Sequence, residues 1–348
     1  MPNELPQHAA LLVMPRLRVQ NANAISSPLT WGFPSITAFT GFMASLARRM
    51  GPEAGVSFHS VGIVCHDFEA QVTKGSYNHS FCLTRNPVLQ DGSTAAIVEE
   101  GRVHLDITLV FEVRLSSALL NDTVRAKCAA QIGEWVASMR IAGGSVIPSL
   151  ASLSGLARRP DHTEIVLLAE EPGLRTKQFK RLSRQWLPGF TLVSRDDLLK
   201  SRLQELSASA TEEQPEPSLL DAWLDLSRIN YRATIETVSN EISATSEQEV
   251  KWATDNRLGW LVPIPVGYAA LSEIQPPGSV SNARDTNLPF RFVESVYSIG
   301  QWISPHRLQD IVQLTWRSEY EPSTGLYRCT NKYQASVSNS YKPVPFTD

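Results

Sequence analysis

"HLDITLVFEVRL", His104 to Leu115, alternates without a break. Leu105, Ile107, Leu109, Phe111, Val113 and Leu115 fall on one side of an extended chain, with His104, Asp106, Thr108, Val110, Glu112 and Arg114 on the other. A period of two with one apolar side belongs to an antiparallel strand whose second face is at least partly open to water. Strands buried on both faces read as continuous apolar runs, so the pattern argues against a doubly wound parallel sheet.

Strand N-terminal to it, "HAALLVMPRLRV" (His8 to Val19) reads as buried. A polar connection from Gln20 to Phe33 leads to Pro34, placed as a first-turn helix residue because its missing N–H costs nothing there. Ile36, Phe39, Met43, Leu46 and Met50 recur at three- and four-residue spacing, and Gly51-Pro52 stops that helix. Ser57 to Thr73 and Ser80 to Thr84 are strand-like. Beyond the central strand, Asn121 and Asp122 can cap a second helix with the stripe Val124, Cys128, Ile132, Trp135, Val136 and Met139. Gly143-Gly144 ends it, and "SVIPSLASL" supplies the next strand. Strand, helix, strands, helix, strand is the order of an α+β, ferredoxin-like unit of the RNA-recognition type, with helices over one sheet face.

Past residue 160 the texture changes. Thr176 to Trp186 predicts a helix with Phe179, Leu182 and Trp186 on one face and Lys177, Lys180, Arg181 and Arg184 mostly on the other. Asp196 to Leu206 and Ser218 to Ile229 also look helical, joined by an exposed linker, "SASATEEQPEP". The expected organisation is a core of 8–160 plus 258–330, a helical insertion at 170–255 with a basic and then an acidic surface, and a polar tail at 331–348. No internal repeat is visible.

Bulk properties fit a soluble cytoplasmic protein of 348 residues, about two domains on the length prior. Cys65, Cys82, Cys128 and Cys329 are scattered, which suggests reduced thiols and neither a disulfide framework nor a zinc site. The N-terminus does not read as a signal peptide, and the apolar run Trp260 to Leu271 is too short to span a bilayer, so no membrane role is expected. The formal net charge is −3, unevenly spread. Leu203 to Val250 carries ten acidic and two basic residues, whereas "LRTKQFKRLSRQW" (Leu174 to Trp186) has five basic residues and no acid. Such segregation hints at different partners for different surfaces, although a charge run is also what a solvated face looks like.

Phosphate-binding P-loop, GxGxxG, GxSxG and HExxH motifs do not occur, and the seven histidines are dispersed; no cofactor or metal is expected. One local group, Lys74, Tyr77 and His79 in "KGSYNH", has the chemistry of a metal-free ribonuclease, but it lies in a turn where polar residues are ordinary. The connection "QNANAISSPLTWGFP" (Gln20 to Pro34) is dense in amides and hydroxyls. Single-stranded RNA is read by such groups and by aromatic stacking, which makes Gln20, Asn21, Asn23, Ser26, Ser27 and Trp31 candidate RNA contacts. The same composition also suits a self-bonded loop with Trp31 in the core.

The stretch "QNANAISSPLTWGFPSITAFTGF" resembles the N-terminal signature of the Csy-two family, the Cas-five-like subunit of the type I-F CRISPR surveillance complex. The likeness continues through "VGIVCHDFEAQV", "FCLTRNP", "STAAIVEEGRVHLDITLVFEV" and "RIAGGSVIPS", and returns in "SIGQWISPHRLQDIVQLTWR" and "GLYRC". It covers nearly the full length and is weakest over about 200–255. The resemblance implies a modified RNA-recognition (RAMP) fold and a non-catalytic role. It implies partnership with a large subunit, capping of a filament of backbone subunits, and a grip on the 5′ handle of CRISPR RNA. Target double-stranded DNA would be met through the assembled complex. On this view Gln20 to Trp31 hold handle nucleotides, and Gly143-Gly144 is a glycine-rich loop brought close to RNA backbone. The basic residues Lys177, Lys180, Arg181 and Arg184 are added from charge pattern alone. The competing expectation is an endoribonuclease that matures CRISPR RNA.

Overall fold

The computed structural model describes residues 7–84, 88–89, 91–147, 162–210, 215–239, 246–254, 259–283 and 285–335. Most of "SVIPSLASL" and of the 331–348 tail lies outside them. The chain divides into two compact units, one of residues 1–194, 264–297 and 303–334, the other of 195–263, 298–302 and 335–348.

In the first unit β1 (His8–Asn23) is followed by a tight pair, β2 (Ile25–Ser27) and β3 (Thr30–Trp31), and then by α1 (Ile36–Met50). Strands β4 (Val56–Lys74), β5 (His79–Thr84), β6 (Val98–Glu100) and β7 (Arg102–Leu115) lead to α2 (Asp122–Ala137). Then come β8 (Arg140–Ile141), β9 (Gly144–Ile147), β10 (Glu164–Leu167), α3 (Pro172–Gln185) and β11 (Phe190–Ser194). The second unit holds α4 (Asp196–Ser209), α5 (Leu219–Ser227), β12 (Tyr231–Ser239) and β13 (Ser246–Thr254). Strands β14 (Trp260–Ala270) and β15 (Val293–Ile303) are followed by α6 (Ile311–Leu314), β16 (Thr315–Glu321) and β17 (Leu326–Asn331). The architecture is α+β around a large antiparallel sheet that runs β11-β15-β14-β17-β16-β4-β7-β1-β9-β8.

The expected stripe of α1 is buried: Ile36, Phe39, Met43, Leu46 and Met50 are all under 10% exposed. Ser35, not Pro34, opens the helix. Its hydroxyl accepts from the Thr37 N–H, so Pro34 sits one place before the cap and outside the first turn. Phe42 reaches Phe111 of β7 at 6.3 Å between ring centroids, and Phe58 meets the same ring edge-on at 5.6 Å. The odd-numbered side of the central strand, Leu105 through Leu115, is fully inside.

The other side of that strand departs from expectation. Thr108 and Val110 are buried too, and Val110 joins Leu11, Val13 and Val64 beneath Phe179, Leu182 and Trp186 of α3. Helices therefore cover both faces of the sheet centre, α1 on one and α3 on the other, where one covered face was expected. Burying the three α3 side chains is worth roughly 1.5–3 kcal/mol each, enough to hold the helix down. The polar residues of this side survive at its margins as ion pairs. Arg16 lies 3.1 Å from Asp106, and Arg317 lies 2.7 Å from Glu112, which also accepts from Ser60 at 2.9 Å. Burial pushes the Glu112 carboxyl up, but the Arg317 and Ser60 hydrogen bonds, with the charges of Arg317 and His59, more than offset it and leave it below its ordinary range.

Asn121 caps α2 as expected, its side-chain oxygen accepting from the Thr123 and Val124 N–H groups at 3.0 and 3.2 Å. The helix ends at Ala137 with Ser138 as its cap, so Gly143-Gly144 is not its stop. Gly143 lies in the turn between β8 and β9, and Gly144 is the first residue of β9.

In the second unit the helices predicted at Asp196 and Ser218 are present. Arg202 of α4 lies 2.6 Å from Asp225 of α5, which also accepts from Asn230 at 2.9 Å. Where the expected insertion was helical, residues 231–239 and 246–254 instead form a hairpin, β12 paired with β13. The reason is legible in "YRATIETVS", where Thr234, Ile235, Thr237 and Val238 are β-branched and favour an extended chain. Among the described residues no helix is long and apolar enough to cross a membrane.

Candidate nucleic-acid interface

The polar stretch after Val19 is not a loose connection. Gln20 pairs with Ser145 of β9, and Ala22 and Asn23 pair with Val103 and Arg102 of β7, so β1 simply continues. Asn21 forms a bulge at φ 58, a left-handed conformation that Asn tolerates better than most residues. Its N–H donates to His104 Nδ1 at 3.1 Å, and its carbonyl accepts from Arg102 at 3.4 Å. Arg102 also grips Glu100 at 2.8 Å, and this hydrogen bond holds that carboxyl below its ordinary range.

The side chains of the stretch divide into two groups. Asn23 bonds Ile25 twice, donating Nδ2 to its carbonyl at 2.8 Å and accepting from its N–H at 3.2 Å. The Ser26 and Ser27 hydroxyls both meet Thr30 Oγ1, at 2.8 and 2.6 Å, and Ser27 also accepts from the Leu29 N–H at 3.2 Å. These three residues shape the β2–β3 hairpin. Gln20 and Asn21 are exposed. Trp31 is not in the core: it is 48% exposed, with its ring 5.7 Å from that of Phe81.

The two glycines also separate. A Cβ on Gly144 would meet Ala22 N and Gln20 O at 2.7 Å and Val19 Cγ1 at 2.8 Å, so this residue is glycine because β1 lies against it. Gly143 has φ 79, and a Cβ there would meet nothing within 4 Å. It faces a cleft of about 570 Å³. Asn23 and Ser26 line one side of the cleft, Arg140 and Gly143 another, and the outward stripe of α1 (Thr37, Gly41 and Ser45, four apart) forms its floor. Tyr268 of β14 and Tyr327 of β17, partners across the sheet, close it.

Electrostatically the cleft suits an anion with polar edges. No carboxylate lines it, and Arg140 is its one charged side chain. Tyr327 and Thr40 share a hydroxyl contact at 3.2 Å, and Tyr268 and Thr37 one at 3.5 Å, which fixes the two rings. The volume falls in the range of about 300–1,000 Å³ typical of small-ligand sites, room for a nucleotide and not for a duplex.

Other sequence candidates lie elsewhere. Lys177, Lys180, Arg181 and Arg184 are all exposed along α3, opposite its buried side. Since α3 and α1 cover different sheet faces, this basic surface is not part of the cleft. Lys74 and His79 are register partners at the turn end of the β4–β5 hairpin, with Tyr77 at its tip 98% exposed. Nothing local in the sequence marks Arg140, Tyr268 and Tyr327; only the small residues Thr37, Gly41 and Ser45, four apart on α1, carry a local signal.

A family profile described as CRISPR-associated protein (Cas_Csy2) matches residues 12–329, a span that takes in the whole cleft. The CRISPR-associated protein Csy2 of Pseudomonas aeruginosa (strain UCBPP-PA14) is 46% identical over 322 residues, covering 92% of this chain and 94% of that protein.

Proposed function

The chain belongs to the Csy2 family of CRISPR-associated proteins, and from that premise we propose that it is a non-catalytic subunit of a type I-F surveillance complex that grips the 5′ handle of CRISPR RNA. The observation that carries this is the carboxylate-free cleft with Arg140, two tyrosines and the open backbone at Gly143. Unpaired RNA needs such a site: a cation for phosphate, aromatic surface for a base, and donors and acceptors for its edges. The sheet order β4-β7-β1-β9, with α1 after β1 and α2 after β7, supports a ferredoxin-like RAMP core, since that is the order a βαββαβ unit produces.

Within this proposal the residues take distinct roles. Gln20, Asn21, Trp31, Gly143 and Arg140 meet RNA at the cleft and its rim. Asn23, Ser26 and Ser27 hold the hairpin that shapes the rim, and Gly144 lets the β8–β9 turn close on β1. Lys177, Lys180, Arg181 and Arg184 offer a separate phosphate track. The large subunit completes the handle site, a backbone subunit continues the filament, and target double-stranded DNA is engaged by the assembly.

The test is a titration of handle RNA against the chain in complex with its large subunit. Gln20→Ala with Arg140→Ala should weaken binding roughly ten- to a hundredfold, the equivalent of about 1–3 kcal/mol for lost polar contacts. Melting should not change, because both side chains are exposed. Equal affinity for handle RNA in variant and parent would remove the cleft from the account. The same samples should leave repeat-containing RNA intact; cleavage that vanishes in Lys74→Ala or His79→Ala would establish the ribonuclease instead.

A further inference from the structure

Gly41 stands in the middle of α1, where the fold gives no reason for a glycine. Its backbone is helical, a conformation open to any L residue, and a Cβ built on it would meet nothing within 4 Å. Gly144, by contrast, is hemmed in by the backbone of β1. Inside a helix glycine is a poor choice on its own terms, because it loses more backbone freedom on folding than alanine and leaves the helix weaker. The space that a side chain would fill at Gly41 belongs to the cleft of about 570 Å³.

The cleft walls select what enters that space. Thr37 and Ser45 flank Gly41 along the helix, and eight residues of α-helix span about 12 Å. Interior N–H groups of a helix are spent on carbonyls four residues back, so the floor at Gly41 has no donor for a phosphate. What it presents is van der Waals surface, and Tyr268 and Tyr327 add two aromatic rings to the same cleft. Arg140 is the one charged side chain that lines it. A flat ring with polar edges therefore suits the floor, and an anion suits Arg140. We infer that Gly41 is a specificity residue of the cleft: its missing side chain admits one unstacked nucleobase onto the backbone of α1, while the adjoining phosphate meets Arg140. The inference rests on the RNA-grip reading above and names the part of the RNA that enters.

The experiment titrates handle RNA against the chain in complex with its large subunit, for the parent, Gly41→Ala, Gly41→Leu and Ala44→Leu. Ala44 is exposed on α1 outside the cleft and serves as the control. Gly41→Ala should raise Tm by about 2–4 °C, since alanine is the better helix former, and Gly41→Leu should melt no earlier than the parent. Gly41→Leu should nevertheless bind handle RNA at least tenfold more weakly, Gly41→Ala by a smaller factor, and Ala44→Leu as the parent does. A set of handle RNAs, each lacking one base but keeping its sugar and phosphate, then locates the occupant. At one position, removing the base should weaken the parent and abolish the difference between parent and Gly41→Leu. Parent-like binding by Gly41→Leu, an equal loss in Ala44→Leu, or a tenfold loss that persists with every abasic RNA would overturn the inference. So would dissociation of the large subunit from Gly41→Leu, which would make this side of α1 a protein contact. In each of those cases the grip on RNA stands if Gln20→Ala with Arg140→Ala still weakens binding, and parent-like affinity there would overturn both.

Discussion

Replacing Gly144 with Ala would put a methyl group 2.7 Å from two backbone atoms of β1, well inside the 3.4 Å of ordinary contact. Neither backbone atom can swing aside, so β9 must part from β1 at the Gln20–Ser145 pairing. Overpacking costs about 1–3 kcal/mol, and the rigid neighbours place this case at the upper end. At about 2–4 °C per kcal/mol for a unit of this size, Tm should fall roughly 6–12 °C. Gly143 should respond differently. Its φ of 79 makes Gly143→Ala cost about 1–2 kcal/mol through backbone strain alone. Gly143→Asn relieves much of that strain, because Asn accepts the left-handed region, yet its amide projects into the cleft. Melting followed by circular dichroism, with handle-RNA titration corrected for the folded fraction, separates the effects. Gly144→Ala should melt early and lose RNA affinity along with stability, because parting β9 from β1 also shifts Gln20 and the turn. Gly143→Asn should melt within about 2–4 °C of parent and bind at least tenfold more weakly, the equivalent of about 1.4 kcal/mol. Full RNA affinity in Gly143→Asn would refute the argument that open backbone at this turn serves the ligand.

Two further outcomes are expected. Because the folded Glu112 carboxyl lies below its ordinary value of 4.5, the unfolded chain binds the proton more readily. Its stabilisation is thus complete above about pH 4.5 and is lost as pH falls toward the folded value, so Glu112→Gln should flatten the acid limb of a stability-against-pH curve; an unaltered limb would show that the Arg317 pairing contributes nothing net. Changing Lys180 and Arg184 to Ala should weaken RNA binding to a similar degree for handle and scrambled sequences and reduce the slope of log affinity against log salt by about 2, whereas an unchanged slope would leave α3 a solvated surface.

The fold was readable wherever one element's pattern sufficed. His104 to Leu115 declared an antiparallel strand, the Ile36 to Met50 stripe declared α1, and the split of α3 into Phe179, Leu182, Trp186 against four cations matched its burial. What escaped depends on long-range pairing. Nothing in β7 itself says that α3, arriving more than fifty residues later, will cover Val110. The cleft draws on Asn23 and Tyr327, which the sheet brings together and the sequence holds far apart. The polar run from Gln20 to Ser27 illustrates a different limit. An amide that bonds within its own hairpin, as Asn23 does, is compositionally identical to one left exposed to solvent, as Gln20 is.

If the cleft grips RNA as proposed, the closure of both sheet faces bears on how that RNA must arrive. An open sheet lets several bases lie flat in succession, and it tolerates a strand that is still partly folded on itself. Here that plane is occupied by Phe179, Leu182 and Trp186, and what remains is a notch at the margin beside Gly143. A notch admits backbone only where the bases have let go of one another. Intramolecular base pairing in the RNA therefore competes directly with loading, and each kcal/mol of hairpin stability in the incoming end is subtracted from the apparent affinity.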